Sequence, residues 1–277
     1  MVKSTLKILL PILRICAVFS FAVCGCKVDI FGLFASTDLD ERLKEKNNFK
    51  FLTGSGLSPS FGEEYSFIVI TDIHIEDGDA YGLEKIKNVT EENSEIQFAV
   101  FCGDITQYGS EQDIKLFIEI ARSLNIPCYP VIGNHDIFFG NWTVWKELIG
   151  STSYRVNGDS SSLFILDSAN GFLGKGQIDW LENELKSAKG RIFVFSHYNF
   201  FVGAPNPQQF ADTRERARII SLLSGKCDIM FLGHSHERLI REAGGVRYIN
   251  IDDFTGSKTY CLVSVKKTGI SYEFKKL

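Results

Sequence analysis

Phe67-Ile68-Val69-Ile70-Thr71-Asp72-Ile73-His74 places an unbroken apolar run directly before two metal-ligating residue types. The run does not alternate with polar residues, so it predicts a strand covered on both faces. Further runs read the same way: Phe98–Phe101, Cys128–Val131, Leu163–Leu166, Ile192–Phe195 and Ile229–Leu232. Between them lie stretches with apolar residues at helical spacing. Ser110 to Leu124 puts Ile114, Phe117, Ile118 and Ala121 on one face, and Gly176 to Ala188 and Asp212 to Leu223 behave alike. Strand-helix alternation predicts an α/β domain. Val246–Ile251, Tyr260–Val265 and Ile270–Phe274 follow with no helix between them, which predicts antiparallel pairs and a mixed sheet, or two packed sheets.

The ligand-type residues gather where these runs end. Asp72-Ile73-His74 follows the first and Gly103-Asp104 the second. Gly133-Asn134-His135-Asp136 follows the third, Ser196-His197 the run ending at Phe195, and Gly233-His234-Ser235-His236 the run ending at Leu232. The carboxyl ends of strands are where open α/β sheets build their sites. The chain has five histidines, His74, His135, His197, His234 and His236, and all five fall at these ends. Any one pair is ordinary: Asp-x-His arises by chance and a single His-x-His is more often a surface loop. Five together do not fit that bland reading. Carboxylates, imidazoles and a side-chain amide suit borderline ions such as manganese, iron or zinc. No Cys-type zinc pattern is present. The set is too large for one four-coordinate ion, which favours two.

These five ordered motifs resemble the calcineurin-like metallophosphoesterase family over roughly residues 66 to 251. The resemblance implies two packed mixed β-sheets flanked by helices, with a two-metal centre at one end. By position it implies that Asp72, His74 and His236 hold one ion and that Asn134, His197 and His234 hold the other. Asp104 would bridge them. His135 would act on the leaving oxygen and not on metal, with Asp136 orienting it. The implied reaction is hydrolysis of a phosphate ester by a hydroxide shared between the ions, a phosphodiester being favoured because no Arg lies within the motifs. Two features depart from common family patterns. The fourth motif reads Ser196-His197-Tyr198-Asn199, and Gln107 stands where a tyrosinate-iron branch needs Tyr. The second excludes that branch. A phosphomonoesterase of the same fold, and a surface binding lipoprotein with little or no activity, are the alternative readings. All seven ligand positions being filled weighs against the second.

The N-terminus reads differently. Lys3, Lys7 and Arg14 precede the mostly apolar run Ile15–Val23, which is too short to cross a bilayer. Small residues and Cys26 follow, the order of an exported leader. Val23-Cys24-Gly25-Cys26 resembles a bacterial lipobox, with Cys24 unusual in it, and implies a membrane anchor on lipidated Cys26 and an extracytoplasmic location at the periplasm or cell surface. Residues 1–26 are thus expected to be the leader, 27–60 a tether or irregular lead-in, and 61–277 the catalytic domain. A length of 277 residues with 44% hydrophobic content supports one sizeable core, and a net charge of −4 shows no basic excess. A small phosphate ester is the expected partner, and no nucleic acid is expected. Cys102, Cys128, Cys227 and Cys261 lie in or beside apolar runs and are expected as buried thiols.

Overall fold

Neighbouring residues of strand β1 (Tyr65–Ile70) enter different cores. Phe67 and Val69 face an aromatic-rich layer with Phe98, Val100, Phe193, Phe195, Phe231, Ile249 and Val263. Ile68 and Ile70 face the opposite way, against helical residues such as Ile114, Phe117 and Trp145. All six residues of β1 are buried, which is why the run shows no polar alternation. Phe67 stacks on Phe98 at 4.6 Å and meets Phe193 edge-on at 5.1 Å, so the two sheets lock together at this ring. Truncating it to Ala should cost about 3–5 kcal/mol.

The computed structural model describes residues 39–44, 49, 59, 61–201, 210 and 212–277. Its first sheet contains β1, β2 (Ile96–Cys102), β3 (Cys128–Val131), β10 (Thr259–Lys266) and β11 (Gly269–Lys276) in the order β11-β10-β1-β2-β3. The second contains β4 (Tyr154–Asn157), β5 (Ser161–Ile165), β6 (Arg191–Phe195), β7 (Ile229–Leu232), β8 (Leu239–Ala243) and β9 (Val246–Asn250), ordered β4-β5-β6-β7-β9-β8. Strands β1, β2 and β3 are mutually parallel, as are β5, β6, β7 and β9, so their carboxyl ends share one edge of the molecule. The fold is the expected pair of mixed sheets flanked by helices.

The helices are α1 (Leu39–Arg42), α2 (Ile86–Glu92), α3 (Glu111–Ser123), α4 (Trp142–Leu148), α5 (Gly174–Leu185), α6 (Thr213–Leu223) and α7 (Phe254–Ser257). Ser110 starts α3 by accepting from the Asp113 N–H, and Asp212 starts α6 by accepting from those of Arg214 and Glu215. α3 packs on the first sheet, whereas α5 and α6 cover the outer face of the second.

One expectation changes. β9 does not pair with the strands that follow it. It runs parallel to β7 and antiparallel to β8, while β10 and β11 join the other sheet. The reason is α7, which carries the chain across the site edge, where Phe254 N–H donates to Thr71 O at 3.0 Å. Of the lead-in, the described residues Leu39 and Arg42 are buried, and Phe49 bridges to Gly150. The leader and Cys26 lie outside the described residues. Among the described residues no helix is long and apolar enough to cross a membrane. Cys102, Cys128, Cys227 and Cys261 are free and buried, as expected.

Candidate metal centre

Asp72, His74, Asp104, His234 and His236 all adopt positive φ, from 48° to 71°. For non-glycine residues this conformation costs roughly 1–2 kcal/mol each. Ten non-glycine residues among those described do so, and half of them are these candidate ligands. Strain is therefore concentrated where the chain leaves the sheets and turns side chains onto their common edge. Backbone bonds tie the turns together. Asp72 N–H donates to Gly103 O, and Ile73 and His74 N–H both donate to Asp104 O. Gly233 N–H donates to His197 O at 2.8 Å, and His234 N–H donates to Asp72 Oδ2 at 3.0 Å, joining the two sheets.

The motif glycines are required by close approach. A Cβ on Gly133 would lie 2.1 Å from Asp104 Oδ1 and 2.2 Å from Asp104 N. One on Gly103 would lie 2.3 Å from His197 Nδ1, and Gly103 also has φ of 90°.

Asp104 is the hub. Its Oδ1 accepts from His135 N–H at 2.9 Å. Its Oδ2 lies 3.0 Å from His197 Nε2 and 3.9 Å from both His74 Nε2 and His135 Nε2. Asp72 Oδ1 lies 3.3 Å from His236 Nε2 and 3.9 Å from His74 Nε2. Three groups have ligand atoms mutually within 4.8 Å: Asp72, His74 and His236; Asp104, His197 and His234; and His74, Asp104 and His135. Asn134 is buried between Gly133 and His135 at the same edge. All nine residues picked from the sequence thus lie at this edge or directly beneath it.

The histidines are held so that Nε2 faces inward. His197 Nδ1 lies 3.0 Å from Cys102 O, and His135 Nδ1 lies 3.0 Å from Gln107 O. A carbonyl oxygen only accepts, so each Nδ1 carries hydrogen and each neutral ring keeps its lone pair on Nε2. His74 Nδ1 is 2.7 Å from Gln107 Oε1, leaving its Nε2 3.3 Å from His236 Nε2. Two imidazole nitrogens facing each other beside buried carboxylates form a donor set that a cation satisfies. His197 Nε2 is likewise buried and faces Asp104 Oδ2 at 3.0 Å. The residues therefore fit metal ions.

Charge agrees with this. Burial opposes ionisation of Asp104, yet His197 and His135 hold it well below the usual carboxylate range. Burial also opposes the charge of Asp72, but the hydrogen bond with His236 and the charge of His197 bring it down to about 2. His197 is raised to about 9, because Asp104 outweighs the effect of burial. Burial lowers His234 to about 3. Two buried anions that hold a proton on His197 form an electrostatic sink for positive charge.

Asp136 differs from its expected role. Its buried carboxylate accepts from Thr106 N–H and Oγ1–H, both at 2.9 Å, from Gly133 N–H at 2.9 Å and from Ile105 N–H at 3.3 Å. The polar partner of His135 is Gln107 O, and Asp136 instead clamps the turn after β2 to the turn after β3. It reaches its clamp position because one side of the turn at residues 135–137 points into the protein. Burial and the charge of Asp104 push its carboxyl up to about 6.

Residues flanking the third and fourth motifs are largely packed inside the protein. Phe200 is buried against Phe210, Trp142 lies in the core beneath the first sheet, and Asn199 donates to Ser235. Phe138 packs beside His135 at 4.4 Å, and Phe139 is 56% exposed next to it. Sequence reading missed Thr71, Gln107 as the partner of His74, Ser168 and Thr255. Ser168 Oγ accepts from the N–H of His197 and Tyr198, and Thr255 Oγ1 donates to Asp72 O. A hydroxyl in a loop gives no sequence signal of such a role.

Comparison with known proteins places these motifs in context. The matched stretch of a relative from Fibrobacter succinogenes, named a probable cyclic nucleotide phosphodiesterase, is 29% identical and covers 47% of this chain and 55% of that one. A probable glycerophosphodiester phosphodiesterase from Arcobacter nitrofigilis is 30% identical over 36% of this chain and 40% of its own. The chain therefore spans about half the length of these relatives. A dimetal phosphatase structure from Danio rerio superposes with a TM-score of 0.59 at 12% identity, covering 76% of this chain and 96% of that one, a likeness of fold alone. The family model for calcineurin-like phosphoesterases matches residues 65–238, which include every candidate ligand, and the chain belongs to that family.

Proposed function

We propose that this protein is an exported, lipid-anchored, metal-dependent phosphodiesterase. The observation that carries the hydrolase reading is the position of Asp104 Oδ2, which lies among the Nε2 atoms of His197, His74 and His135. Asp72, His74 and His236 would hold one ion, Asn134, His197 and His234 the other, and Asp104 would contact both. When bound, such a pair supplies an activated water at neutral pH and positive charge for the phosphoryl oxygens. The protein's own part is orientation and proton handling. Gln107 O fixes the His135 ring, so its Nε2 is directed at the centre, where the imidazolium form would give its Nε2 proton to the departing oxygen and return to the neutral Nδ1–H ring.

The preference for diesters rests on charge. A monoester carries a second negative charge, and Arg is the residue best suited to grip it. Arg238, two residues beyond His236, is engaged elsewhere. It binds Asp252 Oδ2 at 2.5 Å and lies 3.9 Å from the centre of the Phe274 ring. The names of the relatives above agree with a diesterase. Export and anchoring rest on the basic start, the short apolar run and Cys26.

A panel of bis-aryl diesters, aryl monoesters and cyclic nucleotides, with added manganese, zinc or iron, tests the reaction. Catalytic efficiency on a diester should equal or exceed that on the matching monoester. A monoester preference of several orders of magnitude would overturn the diesterase reading. Intact mass from native membranes should show loss of the leader and lipid on Cys26, and soluble chain still carrying Met1 would refute export.

A further inference from the structure

We infer that Arg42, in the segment ahead of the sheets, is a positioning residue for the candidate ligand His197. The inference rests on the two-ion reading above. Arg42 Nε donates to Asp167 Oδ2 at 2.7 Å, and its Nη2 donates to Asp167 Oδ1 at 3.1 Å and to Asn170 Oδ1 at 2.6 Å. Neither side chain of the ion pair has any solvent exposure. A fully buried pair is a poor way to gain stability, because desolvation offsets the attraction and apolar replacements are often as good. Its geometric consequence is therefore the more informative feature.

That consequence leads directly to the site. Asp167 lies in the loop after β5, and Ser168 is next to it. Ser168 Oγ accepts from Ser196 Oγ–H at 2.9 Å, His197 N–H at 3.1 Å and Tyr198 N–H at 3.0 Å. One hydroxyl thus sets the backbone that aims His197 at Asp104. Tyr198 stacks on His234 at 3.9 Å, so the same anchor reaches a second ligand of the same ion. The loop is held from inside by Gln177, whose Oε1 accepts from Asp167 N–H and whose Nε2 donates to Asp167 O. Arg42 holds its carboxylate from the N-terminal side. The other ligand group is held by different contacts, Thr71 on Asp72 and Gln107 on His74. Losing Arg42 should therefore weaken one ion site selectively.

Calorimetric titration of the full chain with Mn²⁺ reads this without measuring turnover. Arg42→Ala should keep one ion near wild-type affinity and weaken the other, by less than the about 10- to 100-fold that losing a direct partner of a ligand costs, because Arg42 acts on His197 through Asp167 and Ser168. Guanidinium at a few tens of millimolar, well below denaturing levels, should restore part of the loss. Arg42→Lys should fall between, since an ammonium cannot reproduce the planar fork. Folded Arg42→Ala protein that binds both ions as wild type does, or that weakens both equally, would overturn the inference. If Arg42→Ala does not fold, Ser168→Ala decides. It leaves the Arg42–Asp167 pair in place and cuts the tie to His197, so it should show the same selective loss, and unchanged binding would overturn the link. A wild-type chain that takes up no ion would sink the two-ion reading, and this link with it.

Discussion

Replacing Gly133 by Ala adds one methyl group at the most crowded point of the centre. Its Cβ would lie 2.1 Å from Asp104 Oδ1 and 2.2 Å from Asp104 N. Contacts under 3.0 Å are essentially never seen, so the turn after β3 and Asp104 must separate by roughly 1 Å. Asp104 cannot easily yield. Its carbonyl accepts from Ile73 and His74 N–H, and its Oδ1 accepts from His135 N–H. Gly133 is itself held by its N–H bond to Asp136. Overpacking of this kind costs about 1–3 kcal/mol, which for a domain of this size lowers Tm by about 2–4 °C per kcal/mol. A displacement of about 1 Å at a reacting centre costs on the order of 10²-fold in rate. The expected outcome is a variant that folds, melts several degrees lower, and loses metal affinity and about two orders of magnitude of turnover. Gly176→Ala is the control. Gly176 lies in α5 and a Cβ there meets nothing within 4 Å, so it should be neutral or stabilising by up to about 1 kcal/mol. Thermal melts and Mn²⁺ titration of both variants decide the matter. Wild-type metal binding by Gly133→Ala would refute the claim that this contact sets the position of Asp104.

His135→Ala should retain both ions and lose about 10²- to 10⁴-fold in turnover, more for an alkyl leaving group than for an activated aryl one. Loss of an ion would instead make His135 a ligand, a role its place beside His74 and Asp104 permits. Metal uptake should release protons. His197 is raised to about 9, so after chelation its proton stabilises the fold fully below about pH 6.5, and that contribution is lost as pH rises through about 9. At pH 7.5 an incoming ion must displace that proton, and titrations in buffers of different ionisation enthalpy should show close to one proton from this group. Heats independent of buffer would contradict the assignment.

Much of the fold was readable because burial leaves a direct trace in sequence. The runs at Phe67, Phe98, Phe193 and Ile229 lack polar alternation because their strands are covered on both faces, by Phe67-type contacts on one side and helices on the other. The helices from Ser110 and Asp212 were readable from their apolar spacing, and the structure caps each start with that residue's own side chain. The pairing of β9 was not readable, since register and partner depend on where α7 carries the chain rather than on any property of Val246–Asn250. β8 was missed because it is an edge strand with Arg241 and Glu242 exposed. At the site, the ligand types and their order were legible, while the left-handed backbone at Asp72, His74 and Asp104 was not. The Asp136 clamp shows the same limit: adjacency to His135 suggested contact, but the side chain points to Thr106 and Gly133. Arg42 was hidden for a related reason, because a basic residue in a polar lead-in looks solvated until its distant partner Asp167 is placed beside it.

The most direct test of the account is metal stoichiometry in the full chain and in Asp104→Ala, measured by elemental analysis after loading with manganese, zinc or iron and removal of free ion. Asp104 stands at the junction of the ligand groups around His197 and His74. The account predicts about two ions per wild-type chain, with both ions and phosphoesterase activity lost from a folded Asp104→Ala variant. A wild-type chain that saturates with a single ion, or an Asp104→Ala variant that keeps two ions and full activity, would contradict it.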